Sequence, residues 1–190
     1  MMNAVARRRR SLLVALPALF LCGAPALPES VTGTPELPAW RVFDSPEGRF
    51  RVTAPGAPAL TTSSQATFLG PIHQARYAFQ LAEGRVVVEH HDLPRVATLL
   101  LPSGAILGRA QSSLLEDVGG RLLESREVSQ QGYPAREISY DIAGPPSLRE
   151  RALLILAGNR LYLVIATWSP TDEFALSLAQ LLRSFELRLP

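Results

Sequence analysis

Ala152-Leu153-Leu154-Ile155-Leu156-Ala157-Gly158-Asn159-Arg160-Leu161-Tyr162-Leu163-Val164-Ile165-Ala166-Thr167-Trp168 decides the fold. Two apolar runs flank Gly158-Asn159, a dipeptide suited to a two-residue hairpin turn. With that turn, Leu156/Leu161, Leu154/Leu163 and Ala152/Ile165 line one face, while Ile155/Tyr162 and Leu153/Val164 line the other. Both faces are apolar, which predicts strands at the centre of a sheet covered on both sides.

Two helices are the expected covers. Ser169-Pro170-Thr171-Asp172 supplies an N-cap, a proline for the first turn and an acid three residues after the cap. Phe174, Leu178, Leu181, Leu182 and Phe185 follow at helical spacing. The second helix is predicted from Ser103, with Leu107, Ala110, Leu114 and Val118 on one stripe and a stop at Gly119-Gly120.

Another hairpin is predicted around Glu83-Gly84, with Leu81, Phe79 and Tyr77 facing Val86, Val88 and His90. Its other face carries Arg76, Gln80, Glu89 and His91 and is expected to be wet. Shorter strands at 41–44, 50–54, 60–68, 121–128 and 136–142 complete an α+β domain, a largely antiparallel sheet covered by helices.

The front of the chain reads as an export signal. Arg7 to Arg10 are followed by an apolar run, Ser11 to Leu21, and by Ala24-Pro25-Ala26, whose two alanines suit a cleavage site. Residues 1–26 are therefore expected to be a signal peptide, 27–39 a proline-containing linker, and 40–190 a single domain. All basic residues are Arg, and removing the four in the leader turns a formal charge of +2 into −2. That sign gives no reason to expect nucleic acid as a partner. Cys22, the only cysteine, also falls in the leader, so the mature domain is expected to stand without a disulfide. The membrane enters only through this leader or through a lipid on Cys22. Leu21 occupies the position where a lipidation signal carries a small residue.

Several short stretches carry a resemblance. Trp40-Arg41-Val42-Phe43, Gly48-Arg49-Phe50-Arg51-Val52 and Pro55 look like the opening of the PsbP-like fold, an αβα sandwich. Gly132-Tyr133-Pro134-Ala135-Arg136-Glu137 is similar to a strand opening in exported bacterial relatives of that fold. Arg149, Arg151, Arg160-Leu161-Tyr162 and Ser184-Phe185-Glu186-Leu187 fit the same pattern. The resemblance covers Trp40 to Leu187 and rests on turns and core positions. It therefore implies a fold and leaves activity open, since PsbP itself is an extrinsic photosystem subunit and other members of the fold bind protein partners or have no assigned role.

Candidate chemistry is sparse. His73, His90 and Asp92 share a face, but the predicted register sets His73 opposite Pro94, about 13 Å along from His90, while His91 points away. His90 is therefore expected at the edge of the core, hydrogen-bonded to Tyr77 or Asp92. No serine lies in a Gly-x-Ser-x-Gly elbow, and Ser103 and Ser169 read as helix caps. Glu137 and Asp141 lie about 13 Å apart on one strand face, beyond glycosidase spacing, and are expected to be solvated and paired with Arg149 or Arg151. No phosphate-binding glycine loop occurs. Trp40, Trp168 and Tyr162 read as packing residues.

These features predict an exported, non-enzymatic protein that needs no cofactor or metal and binds another protein of the cell envelope. The expected contact is an outward patch built from Arg136, Glu137, Asp141, Arg149 and Arg151. The alternative is a module that holds a small molecule or lipid in a gap between sheet and helix, with a hydrolase third.

Overall fold

A computed structural model describes residues 40–188 except 83 and 173–175. The expected signal peptide, with Ala24, Ala26 and Cys22, and the expected linker lie outside the described residues, as does Phe174.

Among the described residues, ten strands and three helices follow one another. β1 (Arg41–Ser45) and β2 (Phe50–Ala54) precede β3 (Ala59–Thr67), β4 (Gly70–Leu81) and β5 (Gly84–Asp92). Helices α1 (Arg95–Leu100) and α2 (Ser103–Val118) come next, then β6 (Gly120–Gln130), β7 (Tyr133–Ile142), β8 (Leu148–Ala157) and β9 (Arg160–Trp168). α3 (Leu176–Arg183) and β10 (Glu186–Leu187) close the chain. Seven strands form one antiparallel sheet in the order β3-β4-β5-β9-β8-β7-β6. The opening strands do not join it as expected; β1-β2-β10 make a separate small sheet.

The central hairpin has the predicted register, with Leu156 opposite Leu161 and Ile155 opposite Tyr162. Gly158 takes φ 63° in the turn, a conformation glycine adopts without steric cost. Its two apolar faces feed two cores. One joins Tyr162, Val164 and Ile155 to Phe50, Val52, Leu178, Leu181 and Phe185, so α3 and the small sheet lie on that side. The other joins Leu154, Leu163 and Ile165 to Ile106 and Leu107 of α2. The result is a helix layer on each side of a sheet.

The first hairpin is displaced. Leu81 opposes Gly84, Phe79 opposes Val86 and Tyr77 opposes Val88. The shift is two residues, so each side chain keeps its predicted face. Gly84 belongs to the strand: a Cβ there would lie 2.2 Å from the Thr167 carbonyl oxygen.

α2 starts where predicted, but Pro102 occupies its cap position and Ser103 is its first helical residue, with no side-chain cap. Its end is as expected, Gly119 adopting the left-handed conformation with φ 60°. At the other expected cap, Ser169 Oγ accepts the Thr171 N–H at 3.4 Å, and Asp172 N–H donates to the Ser169 carbonyl. α1 was not anticipated; it runs between Pro94 and Pro102 and contains no buried residue.

Candidate functional site

α2 packs over β6, β7 and β8. The same face of β4, β5 and β9 is thereby left beside it as the floor of a groove of about 660 Å³. Ile106, Ala110, Leu114 and Val118 form the helix wall, and Leu161, Leu163 and Ile165 the apolar part of the floor. Ala97 and Leu101 bring α1 and the chain after it to the groove. Around them Val96, Leu99 and Leu100 are exposed, Leu99 at 84%. A run of large apolar side chains in water at a groove is the kind of surface that marks a binding site.

Polar groups interrupt this floor at two places. Glu89 of β5 is buried, and Arg76 Nη1 donates to its Oε1 at 2.6 Å. Gln74 Nε2 donates to Oε2 at 3.4 Å, where His91 Nε2 also lies at 3.3 Å. Burial alone would raise the Glu89 carboxyl, but the His91 contact, the Arg76 charge and Gln74 together hold it below its ordinary value. The face expected to be wet is thus partly closed, with Arg76 directly opposite Glu89 across the hairpin.

The second polar point is Glu150 of β8, only 4% exposed. Tyr140 OH donates to one of its oxygens at 2.5 Å and Thr167 Oγ1 to the other at 2.6 Å. Burial and the bond to Glu150 push the Tyr140 phenol well above its ordinary value, so it stays a donor. Glu150 was missed in the sequence, although strand alternation sets it on the face of Ala152, Leu154 and Leu156.

The predicted surface patch separates. Arg136 lies on the α2 face, where it meets Gln111 at 3.4 Å and Glu127 at 3.0 Å. Glu137, Asp141, Arg149 and Arg151 lie on the α3 face, because odd and even positions of β7 point to opposite sides. There Asp141 pairs with Arg121 at 2.9 Å and Arg149 at 2.7 Å, and Glu137 with Arg126 at 2.5 Å and Arg151 at 3.6 Å. The expected pairing of these acids with Arg149 and Arg151 is present. A smaller cavity of about 410 Å³ adjoins them, walled by Leu153, Val164, Ala179 and Leu182.

The histidines do not converge. His73 stands opposite Asp92 and not Pro94, and His90 opposite Ala75. Asp92 is held by Arg160 through Nε at 2.5 Å and Nη2 at 2.8 Å, and His91 faces Glu89. Neither expected bond to His90 forms: both ring nitrogens are buried without a partner among the described residues, and its ring lies 6.1 Å from Tyr77 and 6.2 Å from Tyr162. Among the described residues no three His, Cys, Asp or Glu side chains are grouped to hold a metal. Trp168 and Tyr162 are buried, and Trp40 packs against the same core.

No protein-family model and no curated protein matches the sequence. Similarity appears among solved structures. The solution structure of cyanobacterial PsbP (CyanoP) from Synechocystis sp. PCC 6803 aligns with a TM-score of 0.55 at 10% identity, covering 84% of this chain and 99% of that one. The Pseudomonas aeruginosa protein PA94, of unknown function, aligns with a TM-score of 0.41 at 12% identity over 70% of this chain and 85% of its own. With one strand-rich sheet between helices and the CyanoP alignment spanning nearly all of that protein, the chain has a PsbP-like fold.

Proposed function

We propose that the protein is an exported, non-enzymatic accessory module that binds another protein of the cell envelope through the groove between α2 and the sheet. The observation that carries this reading is the exposed apolar set Val96, Leu99, Leu100 and Leu101 beside an open groove with an apolar wall. Both buried carboxylates of the floor are already engaged by hydrogen-bond donors from the protein, which favours recognition over acid–base chemistry. Export is supported by the leader-like front of the sequence. No helix among the described residues is long and apolar enough to cross a membrane.

The test is a pull-down from envelope extract with wild-type protein and a Leu99→Asp/Leu100→Asp variant, the washed complexes being identified by mass spectrometry. A specific protein recovered with the wild type and lost with the variant supports the proposal. The groove's volume favours a second reading, a small-molecule or lipid module. A lipid that stays bound in native mass spectrometry, with no specific protein recovered, would establish that reading instead.

A further inference from the structure

The two edges of the seven-stranded sheet are unlike. β6 carries Arg121, Glu124, Arg126 and Glu127, and its pairing with β7 is interrupted by a bulge between Leu122 and Glu124. Charges and bulges are the features that keep a strand edge from pairing with another chain. β3, at the opposite edge, has neither. Its nine residues, Ala-Leu-Thr-Thr-Ser-Ser-Gln-Ala-Thr, contain no charge, proline or glycine, and their register with β4 runs unbroken from Ala59 to Thr67. Among the described residues no strand pairs with its outer side. Residues 59–66 are all exposed.

The ends of β3 say what fits there. Leu60 is 52% exposed near one end, and Phe68, just past the other, is 95% exposed. An antiparallel copy of the same strand, placed so that Ser64 faces Ser64, brings each Leu60 level with the other copy's Phe68. Thr62 then faces Ala66, and no like charges meet. A two-fold axis through the Ser64 pair generates every contact twice, as a closed dimer requires.

We propose that the protein self-associates through β3, a second copy pairing antiparallel about Ser64 to make one continuous sheet across the dimer. This edge touches the groove through Gln65, but Leu60, Ser64 and Phe68 do not line it, and the proposal does not depend on what the groove binds.

Residues directly opposite in an antiparallel pair have Cα atoms about 4.5–5.5 Å apart, within disulfide range. The test therefore uses the full chain with Cys22→Ser, so that an introduced cysteine is the only thiol. Under mild oxidation, Ser64→Cys should give a covalent dimer on a non-reducing gel, and Ser125→Cys, on the β6 edge, should not. Light scattering on the uncrosslinked protein should read twice the chain mass. Ser64→Lys should return it to single-chain mass with an unchanged circular dichroism spectrum, because the side chain is exposed. Single-chain mass, with the thiol introduced by Ser64→Cys left unreacted, would overturn the proposal. So would a dimer that Ser64→Lys leaves intact, which would place its contact elsewhere, or capture of that introduced thiol by a different protein, which would make the edge a partner's site.

Discussion

Replacing His90 with Phe should change how stability depends on pH while leaving the fold in place. The ring is 6% exposed, lies between Tyr77 and Tyr162, and has both nitrogens unpartnered among the described residues. Burial, with the Arg160 charge and against the pull of Asp92, lowers its pKa from 6.5 to about 4. The unfolded chain therefore takes a proton below about pH 6.5, and the folded protein refuses it until about pH 4. Folding stability is intact above the unfolded value and is lost as pH falls between the two. The linked free energy is about 1 kcal/mol near pH 5.5 and grows to about 3 kcal/mol near pH 4. Protonation of the carboxylates is common to both proteins except at Asp92, which is coupled to His90, so the difference between their profiles reports His90 together with that coupling. Denaturant melts of wild type and His90→Phe at several pH values measure it. At neutral pH the variant should match or exceed the wild type, because it removes two buried polar atoms that lack partners. Parallel profiles from about pH 7 to pH 4.5 would show that the folded protein does not hold His90 neutral.

Tyr140→Phe should cost about 2 kcal/mol by taking a donor from the buried Glu150 carboxylate, lowering the thermal midpoint by about 4–8 °C. Gly84→Ala should destabilise by about 1–3 kcal/mol in the same melts, since its Cβ would strike the Thr167 carbonyl oxygen and two paired strands would have to part. Replacing Ala24 and Ala26 with bulky residues should leave an unprocessed precursor, visible by intact mass; processing at the normal rate would count against the leader reading.

What was legible in the sequence followed from local chemistry. The hairpin at Gly158-Asn159 could be read to the residue because a good turn dipeptide sits between two apolar runs whose parity leaves no alternative. Around Gly84 the same logic placed every side chain on its face and missed the register, since alternation is preserved by a two-residue slip. The glycine there answers to a close approach by β9, a distant contact that the neighbouring residues do not encode. Ser103 looked like a cap because serine often is one, but Pro102 already holds the extended backbone that precedes the helix. α1 was hidden because it buries nothing and so shows no amphipathic stripe. The groove was out of reach for a related reason: it exists because α2 sits over one half of a sheet face, and the placement of a helix across strands is set by packing between segments far apart in the chain.

That uneven placement divides the sheet into a finished half and an open one. On β7 and β8 the α2 face is covered, the acids Glu137 and Asp141 are each held between arginines, and the edge strand β6, exposed over residues 121–127, is charged and bulged. On β4 and β5 the α2 face forms the groove floor, with buried charge in it, and the edge strand β3 has no partner on its outer side among the described residues. Gln65 of β3 and Ile72 of β4 line the groove as well, so the two open surfaces adjoin. Ion pairs at the surface contribute about 0–1 kcal/mol each, so the arginine and carboxylate rows of β6 to β8 cannot be what most of the stability rests on. They make that side polar, and self-satisfied polar surface has little to gain from a partner. Recognition is therefore expected at β3 to β5 with α1, where exposed leucines and unpaired backbone both gain from being covered.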